Sequence, residues 1–164
     1  MSMELQFAVS QFLYRKAAFC DAYDWDAYLN LYDEDSEYHI PQWINEHEYV
    51  QDPNQGLSYI YYEDRTGLED RVFRIRTGKA ASAMPLPRTI HSINNIQVRE
   101  LEDGLLQVTA NWNTFYNRQG LEGYFYGLVT YTLRCTENGD FRIRRQHILL
   151  LNDKIDSVLD FYHV

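Results

Sequence analysis

Residues 89–151, TIHSINNIQVRELEDGLLQVTANWNTFYNRQGLEGYFYGLVTYTLRCTENGDFRIRRQHILLL, hold the pattern that decides the fold. Apolar residues alternate with polar ones through much of this stretch, as at Val108, Ala110 and Trp112. A period of two is typical of strands that bury one face and expose the other. Short clusters of turn residues interrupt the alternation, so the stretch predicts an antiparallel meander.

The turns divide the meander into four predicted strands, at about residues 89–101, 105–117, 121–136 and 140–151. Asn138-Gly139 is the strongest turn signal, because both positions of a two-residue hairpin turn favour residues that tolerate positive φ. Gly123 and Gly127 share the inward phase of the third strand. Glycine at such positions predicts a sharp bend or a close approach of two backbones.

The first half of the chain predicts helices. Apolar residues at three-and-four spacing indicate a helix over Met3–Cys20. Asp24 is the expected N-cap of a second helix, which runs to the acidic residues 33–35. Thr66 is the expected N-cap of a third helix, in which Glu69 completes a capping box.

The remaining segments are shorter. Tyr38-His39-Ile40 predicts a short strand that Pro41 ends. Residues 57–62 fit a strand and part of a helix equally, and residues 85–87 predict an extended linker. Helices followed by a curved antiparallel sheet indicate the α+β class, and the length of 164 residues favours one domain, 1–164.

Composition argues against several classes of function. A net charge of −9 repels phosphate backbones, so no nucleic-acid binding is expected. No apolar run approaches the ~20 residues that cross a bilayer. The N-terminal residues also lack a basic segment followed by an apolar one, so we expect a cytoplasmic protein without a membrane role. Cys20 and Cys135 are then expected to be reduced thiols.

A family resemblance rests on Gly67–Gly78, GLEDRVFRIRTG. Together with Ile40–Trp43 and Pro85–Thr89, it resembles the small (β) subunit of aromatic-ring-hydroxylating dioxygenases, and most closely the branch acting on benzoate and anthranilate. The resemblance extends from residue 12 to residue 158. The stretch 40–49, IPQWINEHEY, favours anthranilate over benzoate.

The resemblance implies a nuclear-transport-factor-two-like cone, in which N-terminal helices pack inside a strongly curved antiparallel sheet. It implies a non-catalytic assembly subunit of an oxidoreductase in aromatic-compound catabolism, which adds both atoms of O₂ to an aromatic carboxylate. The large (α) subunit would carry a Rieske [2Fe-2S] centre and mononuclear Fe(II), with electrons from NADH through a reductase. The implied assembly is an α3β3 hexamer with β–β contacts.

The residues themselves predict no cofactor or metal in this chain. A Rieske centre needs two Cys and two His in closely spaced pairs, and neither Cys20 nor Cys135 has a neighbouring His. A mononuclear Fe(II) site needs two His and one carboxylate, whereas the five histidines are scattered singly.

Other functions of a cone remain as alternatives. A free-standing dehydratase or isomerase would use an acid and a base in the cavity, and the candidates are Asp33, His39, His91 and His147. His91 and His147 lie on predicted strands and could point inward. A further alternative is a small-ligand-binding cone without chemistry. The favoured interpretation is that these histidines are satisfied core or interface residues, so no catalytic residue is predicted.

Five residues are predicted to make subunit contacts: Arg71, Arg74, Arg76, Phe161 and Tyr162. Arginine pairs with carboxylates through two parallel hydrogen bonds and is enriched at interfaces. The alternative is a solvated helix face paired with nearby acids. The apolar chain end needs something to hold it, which is either its own domain or a neighbouring subunit.

Overall fold

The computed structural model describes residues 2–80 and 84–164, which form helices packed against one six-stranded sheet. The helices are α1 (Met3–Asp21), α2 (Trp25–Leu29) and α3 (Thr66–Arg76). The strands are β1 (Tyr32–Pro41), β2 (Ser58–Tyr62), β3 (Arg88–Glu100), β4 (Leu106–Arg118), β5 (Leu121–Cys135) and β6 (Phe141–Leu150). A 3₁₀ turn, Phe161–His163, closes the chain. The predicted α+β class is confirmed.

The sheet has the order β2-β1-β6-β5-β4-β3. Strands β3 to β6 form the predicted antiparallel meander. Strand β1 joins it by parallel pairing with β6, and β2 then pairs antiparallel with β1. Residues 58–62, for which the sequence fitted a strand and a helix equally, are therefore a strand. None of the helices among the described residues has the length and apolar character that crossing a membrane requires.

The prediction for residues 30–35 was wrong. Helix α2 ends at Leu29, and the acidic residues 33–35 lie in β1 instead of closing the helix. Asp33 accepts hydrogen bonds from Arg134 of β5 at 3.0 and 2.6 Å, and Asp35 accepts one from Arg144 of β6 at 3.1 Å. Ion pairs to neighbouring strands of the sheet thus stabilise residues 33–35 as part of a strand, although their local sequence predicts the end of a helix.

The capping box predicted at Thr66 is also absent. Arg65 is the N-cap, and it makes no side-chain capping bond. Glu69 accepts a hydrogen bond from Arg65 Nε at 2.7 Å instead of reaching back to the backbone. The Asp64 carboxylate accepts a hydrogen bond from the Thr66 N–H at 2.9 Å. An acid two residues before Thr66 thus satisfies one of the backbone N–H groups that the first turn of α3 leaves without a partner.

The tight hairpin turn forms at a different place from the one predicted. Gln119 and Gly120 both have positive φ, of 53° and 81°, between the paired residues Arg118 and Leu121. This is the two-residue geometry that matches strand twist. At 136–140, by contrast, only Gly139 has positive φ, and the loop is longer.

Helix α1 lies in the concave face of the curved sheet, and the core forms between them. The helix contributes the stripe Val9, Phe12, Leu13, Lys16 and Cys20. Strand β5 passes very close to its neighbours at the two predicted glycines. A Cβ on Gly127 would lie 1.8 Å from the Leu149 carbonyl oxygen, and one on Gly123 would lie 2.4 Å from the Tyr116 hydroxyl. The predicted close approach of two backbones is confirmed at Gly127, whereas Gly123 lies against a side chain.

We expect Gly127→Ala to lower the free energy of unfolding by about 3 kcal/mol, because the new methyl group meets backbone that cannot move aside. Gly123→Ala should cost less, because the far end of the Tyr116 side chain can rotate away. Urea unfolding followed by circular dichroism measures both. Equal losses for the two variants would show that the strands separate readily at Gly127.

Candidate functional site

The interior of the cone is almost completely filled. Between α1 and the sheet lies a cavity in which the volume open to the centres of water molecules is about 30 Å³. This is room for about two waters. An aromatic acid does not fit, so the interior offers no substrate pocket in this structure.

His91 points into this interior, as predicted, and is bound to the end of α1. Its Nδ1 lies 2.5 Å from Asp21 Oδ1, and its backbone N–H donates to Asp21 Oδ2 at 3.1 Å. The Thr89 hydroxyl donates to Asp21 Oδ1 at 2.8 Å. On the other side of the ring, Nε2 lies 3.8 Å from Cys20 Sγ. Sequence reasoning missed Asp21, whose one signal is its place directly after the apolar stripe of α1.

This contact keeps the imidazole charged. Burial lowers the pKa of His91, but the interactions with Cys20 and with the Asp21 carboxylate outweigh burial and raise the pKa to about 9. Burial conversely raises the pKa of Asp21, and the bonds and charge of His91 bring it below its usual value. At neutral pH the pair is an ion pair that ties α1 to β3.

His147 does not point inward, so that prediction was wrong. A β-bulge at Arg144 shifts the register of β6, and Gln146 becomes the inward residue, where it accepts a 2.5 Å bond from Tyr32. His147 lies on the outer face with its ring 5.4 Å from that of His39. Burial, the Arg145 charge and His39 lower the pKa of His147 to about 4, so it is neutral.

The candidate acid–base residues therefore do not meet in the interior, and only His39 and His147 lie against each other, on the outer face. His39 is bound to the Ser58 hydroxyl at 2.8 Å, and Asp33 is paired with Arg134. The Asp21–His91 pair is the feature that favours a cone enzyme, but the space it faces holds only water-sized molecules. The space between α1 and the sheet therefore gives a dehydratase or isomerase no room to bind a substrate.

The arginines of α3 have partners within the chain. Arg71 donates to the carboxylate of Asp160, which is almost fully buried. Arg74 pairs with Asp70 at 3.0 Å, and Arg76 pairs with Asp26 at 3.0 Å. Arg74 and Arg76 remain about half exposed, with side-chain exposures of 51% and 49%. Such exposed pairs contribute little to stability and exchange partners at low cost.

The apolar chain end packs on its own domain. Phe161 is fully buried, with its ring centroid 5.3 Å from that of Trp25 and 5.6 Å from that of Tyr28. Asp160 caps the final turn and holds Arg71. The chain end, residues 160–164, thereby joins α2 to α3. Phe161 and Tyr162 stabilise the surface around α3 from the interior side. A direct role for these two residues at an interface stays a prediction.

The outer face of the sheet carries a band of uncharged side chains, which we call the neutral band. Three cross-strand rows define it: Ile90, Phe115, Tyr124; Ser92, Asn113, Tyr126; and Asn94, Asn111, Leu128, Leu149. Phe115, Tyr124 and Leu128 are 56%, 57% and 43% exposed. Aromatic enrichment and depletion of charge are the composition of an interface core.

Comparison with known proteins gives the family. Residues 15–157 match the family model described as the ring hydroxylating beta subunit. The chain belongs to this β-subunit family. It is 77% identical, over 164 residues and the full length of both chains, to the anthranilate 1,2-dioxygenase small subunit of Acinetobacter baylyi. It is 39% identical to the benzoate 1,2-dioxygenase subunit beta of the same organism, over 95% of this chain and 92% of that one.

Solved structures agree with the fold of this β subunit. The β subunit of benzoate 1,2-dioxygenase from Burkholderia mallei superposes with a TM-score of 0.78 and 31% identity, covering 95% of each chain. A cystatin-like-fold protein of the NTF2-like group from Novosphingobium aromaticivorans, at 17% identity, has a TM-score of 0.62 over 97% of this chain and 91% of that chain. The predicted nuclear-transport-factor-two-like cone is confirmed.

Family membership places the chain within an oxidoreductase and implies a large oxygenase subunit as its partner. Within residues 2–80 and 84–164, no three His, Cys, Asp or Glu side chains converge as a metal-ligand set. Both cysteines are free thiols, Cys20 buried and Cys135 exposed. The donors among these described residues thus suit neither an iron–sulfur cluster nor an Fe(II) centre.

Replacing Asp21 by Asn removes one of the two partners, beside Cys20, that raise the pKa of His91. Because the folded pKa of His91, about 9, lies above the usual 6.5, the stabilisation is fully present below about pH 6.5 and is lost as the pH rises through 9. The difference in free energy of unfolding between wild type and Asp21→Asn should be about 2–3 kcal/mol at pH 6 and fall by pH 10 to the smaller contribution of the hydrogen bonds that Asp21 accepts from Thr89 and from the His91 backbone N–H.

Urea titrations at several pH values provide this measurement. Asp26→Asn is the matched control, because Asp26 forms an exposed pair with Arg76 and should show a small, nearly constant difference. A difference for Asp21→Asn that stays constant from pH 6 to pH 10 would mean that the His91 ring is already neutral at pH 6.

Proposed function

We propose that the chain is the non-catalytic assembly subunit of a terminal oxygenase that dihydroxylates an aromatic carboxylate, with anthranilate favoured and benzoate next. The observation that carries the proposal is the 77% identity along the whole of both chains to an anthranilate 1,2-dioxygenase small subunit. Identity to the benzoate relative is much lower, at 39%. The filled interior supports a structural role, because it leaves no space for the aromatic substrate.

The chemistry is assigned to the large subunit. In this proposal that subunit carries the Rieske [2Fe-2S] centre and the mononuclear Fe(II), and a reductase delivers electrons from NADH. The chain itself, residues 1–164, acts as one domain that presents surfaces for assembly into a cytoplasmic α3β3 hexamer. One sheet and one continuous core support a single domain, and the two free thiols suit a reducing compartment.

The neutral band is the surface we assign to β–β contact. Each copy carries a net charge of −9, so two copies repel each other unless their contact excludes carboxylates. Charged residues flank the band, with Arg88 and Glu122 at one end and Arg99 and Arg145 at the other. Exposed aromatic rings between these ends supply apolar area to bury.

Helix α3 is the surface we assign to contact with the large subunit. Arg74 and Arg76 can exchange their weak intrachain partners for carboxylates of the large subunit. Arg71 is held more firmly, because its bond to Asp160 anchors the chain end beneath the helix, and its own part in the contact stays a prediction. Substitution of Arg74 and Arg76 therefore tests the contact without disturbing the fold, whereas substitution of Arg71 would also release the chain end.

Co-expression with an anthranilate-type large subunit tests the function. We expect a stable complex in which all iron purifies with the large subunit. The double variant Arg74→Glu, Arg76→Glu should weaken this complex about 10-fold or more, with turnover per bound iron unchanged. Size exclusion with iron analysis measures both quantities, and Lys154→Glu, at an exposed site, is the control. Normal assembly with collapsed turnover per iron would instead place α3 in catalysis or electron transfer.

The neutral band is tested in the isolated chain. We expect wild type to self-associate and Asn111→Glu to raise the dissociation constant about 100-fold, because like charges that meet in an interface cost several kcal/mol. Mixing Asn111→Glu with Asn111→Lys should restore part of the association. Sedimentation velocity gives the masses, and Gln11→Glu on exposed α1 surface is the control. A monomeric wild type, or an Asn111→Glu variant that self-associates normally, would contradict β–β contact through this band.

A further inference from the structure

Lys16 is a buried cation in the interior of the cone. It lies on the inward stripe of α1 and is 6% exposed. Its Nζ lies 5.3 Å from the centre of the Tyr28 ring and 5.7 Å from that of Tyr131. In the part of the chain that the structure describes, no carboxylate is within ion-pair distance of Nζ and no acceptor is hydrogen-bonded to it. The two rings face the cation but leave its three N–H groups without acceptors.

The charges around the cavity do not cancel. His91 and Asp21 form an ion pair, so their charges offset each other. Lys16 then leaves the cavity wall with an excess of one positive charge. Burial lowers the pKa of Lys16 to about 8, against a smaller opposing effect of Cys20, so most of the ammonium remains charged at pH 7. An uncompensated buried charge is costly, so a counter-ion at this place stabilises the fold.

A second polar group in the same cavity also lacks a partner. The Thr114 hydroxyl is fully buried and has no hydrogen-bond partner among the described residues. Lys16 on α1 and Thr114 on β4 both line the cavity, whose remaining wall is largely apolar, with Leu13, Val129 and Ile148 among its residues. The wall therefore presents a cation and a free hydroxyl donor towards one small space.

We propose that this cavity binds one small monovalent anion, no larger than bromide or formate, held by the Lys16 ammonium and the Thr114 hydroxyl. The anion neutralises the excess charge and accepts the hydrogen bonds that the wall leaves unmade. The space of about 30 Å³ excludes a larger carboxylate. Because Lys16 belongs to the helix and Thr114 to the sheet, the bound anion joins the two layers of the core. This site is independent of the assembly function proposed above.

Ligand linkage gives the first test. A ligand that binds only the folded state raises the apparent stability in a saturable way. We expect the melting temperature of the full-length chain to rise and level off with added chloride, bromide or formate at constant ionic strength and pH 7, with no such rise for benzoate. A response to the halides without a response to formate would identify the ligand as a spherical halide. Lys16→Met and Thr114→Val should lose the saturable part, whereas Lys79→Met, on the outside of the domain, should keep it.

Anomalous diffraction gives the second test, which does not depend on the stability of a variant. Crystals grown in bromide should show one anomalous peak between Lys16 Nζ and Thr114 Oγ1, absent from crystals of Lys16→Met. The proposal is overturned if the cavity in bromide-grown crystals contains water alone or is empty. It is likewise overturned if Lys16→Met keeps the saturable anion response, since the effect would then come from another site.

Discussion

The position of α1 inside the concave face of the sheet is the packing on which the rest of the structure depends. The helix buries a complete stripe against the meander, and the ion pair between Asp21 and His91 fixes its end to β3. Within the sheet, β5 can approach β6 closely because it has glycine where a side chain would strike the Leu149 carbonyl. A bulkier residue there would push these two strands apart, and close packing is what gives the core its stability.

Because α1 fills the cone, binding to larger molecules is limited to the outer surface. The interior keeps space for water-sized molecules only, so the chemistry that some cones carry inside has no room here. Interaction is left to the outside of the molecule. Two outer surfaces differ in character: the neutral band is uncharged and aromatic, whereas α3 exposes arginines whose intrachain partners hold them weakly. These suit contact with a like-charged copy and with a carboxylate-bearing partner, respectively.

The chain end shows how a tail supports a neighbouring surface of the same chain. Phe161 is buried against α2, and Asp160 binds Arg71 of α3, so the last residues join these two helices. The buried partner keeps Arg71 in place because a buried carboxylate without its cation is costly. The orientation of α3, and with it the exposure of Arg74 and Arg76, follows from this anchoring.

Local pattern in the sequence determined the α+β class, helix α1, the four strands of the meander and the close approach at Gly127, because each follows from the period of apolar residues or from glycine's missing side chain. The stretch Gly67–Gly78 led to the family. Only the tertiary structure decided the parallel pairing that makes residues 33–35 a strand, since their partners Arg134 and Arg144 lie about 100 residues away. It also decided that His147 faces outward, because one bulge at Arg144 reverses the alternation that places His147 inside. The meeting of Asp21 with His91, and of Lys16 with Thr114, depends on how α1 sits against the sheet, and no local pattern encodes the distance between side chains on separate elements.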